Sequence, residues 1–415
     1  MNILEMATAN QLRATGATKK VSITGQVNDQ YTVYQIPLKY LYYNDQNGRI
    51  NTAYKQYLAE HPSLIPEPGN SEYNKIFQNF IYNSNTQALS DTLVSIKEKS
   101  QQEPAVVLPD GRVIDGNRRF TALRCFENED KIPKTLDAVI IPLDSKNDQK
   151  MIKELELDLQ LAREEKVPYS PIDRIFDVYN TICITKIMNM EEYKKASGAG
   201  NTKGIKRDIR LAELVLKFIK IVSPGGNAID KFYLARDLNL DGPIEEIEGT
   251  ISRMDDSDKE SITEGALVQL AVSKMGIYDL EPKLVMRSLK KNVLKNPNTL
   301  SHYLSAVDDK VDAIIDTFEE KPIKTAGDLK KAVRDSPEFE KQVKRFKNAT
   351  EKLIFKSKID SKRKKVLAEL EKISESLGNI EPEAFYELNQ DDFFTAKETL
   401  KQIHTILYKF GKVLK

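Results

Sequence analysis

The run Asp115-Gly116-Asn117-Arg118-Arg119 carries the densest set of residues able to do chemistry in this chain. It follows the apolar pair Val113-Ile114 and precedes Phe120, Leu123, Cys125 and Phe126, which recur at helical spacing, so the run sits where a strand ends and a helix begins. The first N–H groups of a helix have no partner within it, and that end carries partial positive charge. Glycine lets a backbone approach a ligand closely, an arginine fork matches phosphate oxygens, and Asn117 can cap the helix. Two cations in a first helical turn oppose the helix dipole, a conflict that a bound anion resolves. The same residues can also form a plain corner in which Asp115 pairs with Arg118 or Arg119 and nothing binds. The residues alone leave these two readings open.

Other chemistries find less support. Cys125 and Cys183 are the only cysteines and are far apart, which gives neither a disulfide framework nor a Cys-x-x-Cys metal site, and both read as small buried hydrophobes. His61, His302 and His404 are scattered, so no zinc helix or nucleophile–base pair is visible. Catalysis would have to rest on carboxylates, arginines and a borrowed metal. The 415 residues suggest two to three domains at roughly 150 residues each. With 40% hydrophobic and 30% charged residues, and no apolar run near the roughly 20 residues of a membrane span, the chain reads as soluble. The first twenty residues lack the apolar centre of a secretory signal, so a cytoplasmic location is expected.

The elements that must position the run follow from periodicity. Residues 33–38 alternate as a strand, and 41–58 continue as a short apolar piece, the polar turn Asp45-Gln46-Asn47-Gly48-Arg49 and loop. Residues 61–70 hold three prolines and read as a surface loop. Leu89, Leu93 and Ile96 predict a helix over 86–100. Ala105–Leu108, the turn Pro109-Asp110-Gly111-Arg112 and Val113-Ile114 predict a hairpin, and residues 138–142 a further strand. Beyond 150 the chain reads as helices broken at 197–204, 223–227 and 241–243.

The wider stretch resembles the N-terminal domain of ParB-type proteins, within the ParB/sulfiredoxin-like family. The resemblance is carried by Ser95–Ser100, Glu103-Pro104-Ala105-Val106-Val107 and Val113–Leu123, in the order helix, Gln/Glu-Pro strand, Gly-x-Arg-Arg helix. Upstream, Asn47-Gly48-Arg49-Ile50 is similar to the family's first box. Downstream, Gln160 and Pro171-Ile172-Asp173 are similar to its third, although Leu157, Asp158 and Leu161 stand where the family has its metal-binding Glu, an Asn and an Arg. The resemblance implies a nucleotide clamp that takes Mg²⁺ with CTP or ATP. Its phosphate-binding residues would be Arg49, Gly116, Asn117, Arg118, Arg119, Thr121, Gln160 and Arg163. Asp115, Glu156 and Asp158 would be its catalytic carboxylates, with Asp158 able to hold the metal. Cys125 lies about two helical turns past the loop where sulfiredoxins place their catalytic cysteine, which argues against that chemistry.

A DNA-binding helix-turn-helix is expected next, at 197–222. There Ile205, Ile209, Ala212, Leu216 and Ile219 form one face, while Lys203, Lys206, Arg207, Arg210 and Lys217 are the candidate DNA contacts. The net charge of +1 conceals a second basic segment, since residues 341–365 hold eleven Lys/Arg against Glu351 and Asp360. Ile359, Val366, Leu370, Ile373 and Leu377, then Leu400, Ile403, Leu407, Phe410 and Leu414, keep a three-four repeat that fits a bundle or short coiled coil.

The expected fold is α+β: an N-terminal extension (1–30), a small mixed ParB/sulfiredoxin-like domain (31–150), a helical region with a helix-turn-helix (151–250), and a helical C-terminal domain (251–415) serving a homodimer or a partner protein. The expected function is nucleotide-responsive DNA binding. The alternatives are an NTPase, nuclease or other phosphoryl-transfer enzyme of the same fold, in a plasmid, phage or defence setting, and a non-catalytic scaffold.

Overall fold

The computed structural model describes residues 2–23, 29–48, 50–62, 70–161 and 170–414. Arg49, Arg163 and most of the proline-rich loop at 61–70 lie outside the described residues.

Along the chain come α1 (Ile3–Thr8), β1 (Arg13–Lys20), β2 (Gln30–Pro37), β3 (Tyr42–Tyr43), α2 (Asn51–Glu60), α3 (Ser71–Ser84), α4 (Thr86–Lys99), β4 (Ala105–Val107), β5 (Arg112–Asp115), α5 (Asn117–Asp130), β6 (Thr135–Ile140) and α6 (Gln149–Leu161). The six strands form one mixed sheet in the order β1-β2-β6-β4-β5-β3, so the architecture is α+β. The β4–β5 pair is the expected hairpin, antiparallel across Val107 and Val113. Strand alternation splits the apolar residues between two faces. Ile36, Ala105, Val107, Val113, Leu136 and Ala138 pack with Tyr73 and Phe77 of α3 and Phe120 and Leu123 of α5. Val33, Val106, Ile114 and Val139 face the other way, against Ile152, Leu155 and Leu159 of α6. The central strands are thus covered on both sides, which explains the continuous apolar runs in β4 and at the end of β6, while the edge strand β1 is largely exposed.

Three boundaries differ from expectation. Residues 1–30 are not an appendage, because Ile3 and Ala7 of α1 enter the core and β1 pairs with β2 at the sheet edge. Helix α6 starts at the boundary expected at 150 and belongs to the sheet layer. Residues 51–60 are helix instead of loop; only Thr52 is buried there, too faint a periodic signal to read.

The helical part continues with α7 (Pro171–Tyr179), α8 (Met190–Ala196), α9 (Lys203–Val222), α10 (Tyr233–Asp237), α11 (Asp241–Ile251), α12 (Asp256–Lys274), α13 (Pro282–Leu289), α14 (Pro297–Glu320), α15 (Ala326–Arg334), α16 (Pro337–Gly378) and α17 (Gln390–Val413). The chain divides into a unit spanning Met1–Glu351 and one spanning Lys352–Lys415. Among the described residues no helix is long and apolar enough to cross a membrane.

Helix α6 ties the sheet to the helices by burying three faces. Leu155 and Leu159 face the sheet, while Leu157 joins Val178 of α7, Met188 just before α8, Tyr193 of α8 and Ile205 of α9. On the third face the Lys153 ammonium donates to Asp177 of α7 at 2.6 Å and to Glu156 at 3.5 Å. The Tyr193 hydroxyl closes the network by donating to the other Asp177 oxygen at 3.0 Å. Burial disfavours the charged lysine, yet Asp177 and Glu156 hold its pKa above the ordinary lysine value. Burial raises Glu156 above the usual carboxylate range against the pull of Lys153.

Two stability predictions follow from this helix. Leu157→Ala is expected to cost about 2–5 kcal/mol in urea unfolding, while Asp158→Ala on the exposed face stays within about 0.5 kcal/mol. Lys153→Met leaves two buried carboxylates without their cation, a loss of about 3–5 kcal/mol. The loss also depends on pH. Glu156 is already raised in the native state, so the native protein holds the proton that the unfolded chain releases, and stability falls as pH rises from the ordinary glutamate value to the native one. The variant, with the opposing ammonium gone, should therefore melt closer to wild type at pH 5 than at pH 8. Equal deficits at both pH values would refute this electrostatic account.

Candidate functional site

The expected turn forms as the sequence requires. Gly116 caps α5 with φ +100° and ψ 16°, a left-handed conformation that side chains avoid, and a Cβ there would come 2.7 Å from that of Ala105. Asn117 is the first helical residue and not the cap: its Nδ2 donates to the Val113 carbonyl at 3.2 Å. Arg119 donates through Nη1 to the Glu103 carbonyl at 2.6 Å and through Nη2 to Asp115 at 3.2 Å. The conflict between cations and helix dipole is thus partly met within the chain, because Asp115 neutralises Arg119.

A cavity of about 710 Å³ opens on this turn. Asp115, Gly116, Asn117, Arg118 and Arg119 line one end, together with Asn47 and Gln160. The wall continues along α4 through Asp91, Thr92 and Ser95 and along the loop Ser100 to Glu103. The Asn117 side-chain oxygen, Oδ1, is buried without a hydrogen-bond partner, whereas its main-chain carbonyl accepts from Thr121. A buried acceptor of this kind costs free energy until a donor reaches it.

The structure brings together five of the turn's residues with Gln160 and leaves others out. Thr121 is fully buried behind the turn, bonded to the Asn117 carbonyl at 2.9 Å and to the Tyr43 hydroxyl at 2.8 Å, and does not line the cavity. Glu156 lies just beneath, accepting from the Gly48 N–H at 3.3 Å and from Gln160 at 3.5 Å. Asp158 is exposed and away from the cavity, so it is no metal ligand there. Among the described residues no three His, Cys, Asp or Glu side chains form a group able to hold a metal ion. The carboxylates nearest the turn are already engaged, Asp115 by Arg119 and Glu156 by Lys153. Cys125 is half-buried, and burial pushes its thiol up despite the hydrogen bond from Gln78, the opposite of an activated nucleophile. Cys183 is also half-buried, where full burial was expected.

Sequence reasoning missed the α4 wall, Asn47 as a lining residue, and the Lys153–Asp177 pair. Asp91, Thr92 and Ser95 share one polar side of a helix that was read for its apolar stripe. Lys153 sits between Ile152 and Leu155, and a lysine among core positions was the available signal.

Helix α9 differs from a surface recognition helix. Leu211, Leu214, Val215, Phe218 and Val222 are buried besides Ile205, Ala212 and Ile219, and the helix packs on α7, α11, α12 and α14. Of the candidate DNA contacts, Arg207 lies 3.2 Å from Glu245, Arg210 donates to Glu248, and Lys217 is 3.8 Å from Glu260. Lys203 and Lys206 remain exposed near the start of the helix.

No protein-family model matches this chain, and comparison with curated proteins finds no match. Among solved structures it aligns with a Pnob8-like ParB-N domain at a TM-score of 0.27 and 12% identity, covering 56% of this chain and 89% of that one. The likeness is a distant one.

Proposed function

We propose that the chain binds a nucleotide, CTP or ATP, in the cavity at the Asp115–Arg119 turn, and that occupancy there governs contact with DNA. The observation that carries the proposal is the meeting, in one cavity wall, of an arginine-flanked helix start with Asn117, whose buried side-chain oxygen has no hydrogen-bond partner. The helix start and the arginines suit phosphate oxygens, which only accept hydrogen bonds. The Asn117 oxygen needs a donor, which phosphate lacks and a sugar hydroxyl or base amino group supplies. A ligand carrying both is a nucleotide, and the resemblance of the ordered segments to ParB-type clamps points the same way. Any Mg²⁺ would arrive with the nucleotide and keep most of its waters. No hydrolytic residue is assigned, since Asp115 and Glu156 are held by cations and Asp158 lies on the exposed face.

Calorimetry with CTP and ATP, with and without Mg²⁺, tests this reading. Wild type should bind one of them saturably. Arg118→Ala should weaken binding by about 1.5–3 kcal/mol, the value of a hydrogen bond to a charged group, with the fold checked by circular dichroism. Gly116→Ala should abolish binding. Well-folded wild type that binds no nucleotide would overturn the proposal, and binding of inorganic phosphate with equal affinity would remove the nucleoside from it. For the DNA contact, Lys203 and Lys206 are the exposed cations at the start of α9, so changing both to alanine should lower the salt slope of DNA binding by about 2, whereas changing Arg210 should not. An unchanged slope would remove α9 from the interface.

A further inference from the structure

The unit Lys352–Lys415 has no core of its own. Among its described residues Ser357 is the one buried side chain, and the unit carries seventeen of the twenty-three large hydrophobic side chains that stand exposed on the described chain. Helices take most of their stability from burying an apolar face, so helical segments that bury almost nothing need a partner. These apolar residues are ordered. In α16, Ile359, Val366 and Ile373 recur every seven residues, continued by Ile380 just past its end, with Leu370 and Leu377 between them; in α17, Phe393, Ala396, Leu400, Ile403, Leu407 and Phe410 keep an unbroken three-four spacing to Leu414 just past its end, with Ile359, Leu377, Ala396 and Ile403 half-buried and the others exposed. This is the stripe of a helix seam.

Charge identifies the occupant. Residues 352–365 hold seven cations against Asp360, and the rest of α16 holds Glu369, Glu371 and Glu375 against Lys372, the acidic run continuing past the helix with five more carboxylates up to Asp392. The apolar stripe of α16 runs through the point where the sign reverses, with Val366 and Leu367 exposed there at 60% and 59%. A surface that carries both signs at opposite ends of one apolar stripe is complementary to itself when turned end for end. We propose that this stripe is covered by the same stripe of a second copy of the chain, running antiparallel, so that each basic segment lies against the partner's acidic segment. Parallel pairing would set like charge on like, and a two-fold interface demands the self-complementarity that the charge reversal provides. This proposal is independent of the nucleotide site, which lies in the other unit.

Sedimentation of the full chain across micromolar concentrations should show a dimer. Leu370→Asp with Ile373→Asp should raise its dissociation constant at least about tenfold without lowering the melting of the Met1–Glu351 unit, since both side chains are exposed. Orientation is read by zero-length carbodiimide cross-linking of ordinary chain mixed with ¹⁵N-labelled chain. Mixed-isotope links should join lysines of 352–365 to carboxylates of 369–392. Mixed links confined to one segment would overturn the antiparallel arrangement, and a monomer at all concentrations would overturn the dimer, as would a dimer indifferent to the double aspartate variant. A chain that stays monomeric and engages DNA or another protein through this stripe also counts against it.

Discussion

A lysine ammonium sealed between two carboxylates is the constraint on which the first unit is arranged. Lys153 is 8% exposed, Glu156 1% and Asp177 2%, so none can be solvated and each is tolerable only because the others are present. Such a pair contributes little net stability compared with apolar side chains of the same volume, but it admits one arrangement of α6 and α7. It also reaches the cavity. Glu156 accepts from the backbone of Gly48 and from Gln160, so Asn47 and Gln160, two of the cavity's lining residues, hang from the same network that fixes α7 and α8. Whatever occupies the cavity therefore acts on a wall connected through three charged groups to the helical layer, without any long chain of packed residues between.

That network explains why Leu157 stands where a metal-binding glutamate is expected by resemblance. The position faces Val178, Met188, Tyr193 and Ile205, a dry pocket between α6 and the helices, where a carboxylate would be buried without a cation. The neighbouring carboxylate, Glu156, lies on the face shared with Lys153 and Gln160. An α-helix turns about 100° per residue, so a shift of one position exchanges one buried environment for another.

The hairpin and the central strands were legible because short apolar runs flank Pro109-Asp110-Gly111, whose turn chemistry admits few alternatives, whereas the polar β1 carried no strand signal. The turn at Gly116 was legible for the same reason, since its left-handed backbone and the 2.7 Å approach to Ala105 leave room for glycine alone. What could not be read were relations between distant segments. Nothing in the spacing of Arg207 and Arg210 announces Glu245 and Glu248 on α11, and nothing near Lys153 announces Asp177. A helix with one basic stripe and one apolar stripe looks the same whether its cations face solvent or the carboxylates of a neighbouring helix.

Helix α9 illustrates how that ambiguity resolves physically. Its contacts on four other helices bury most of its circumference, and the strip left over is bordered by α11 and α12, whose Glu248 and Glu260 meet Arg210 and Lys217. A cation already facing a carboxylate gains little from a phosphate, because the new attraction must first offset the old one. Of the five candidate cations of α9, Lys203 and Lys206 near its start are exposed and stand outside these pairings, so they have most to offer a polyanion. Partial positive charge from the helix's own unpaired N–H groups adds to those two lysines there, and no acidic residue occupies its first turn. Contact at that end would meet a phosphate end-on, which is a positioning contact rather than a reading of base edges along a groove.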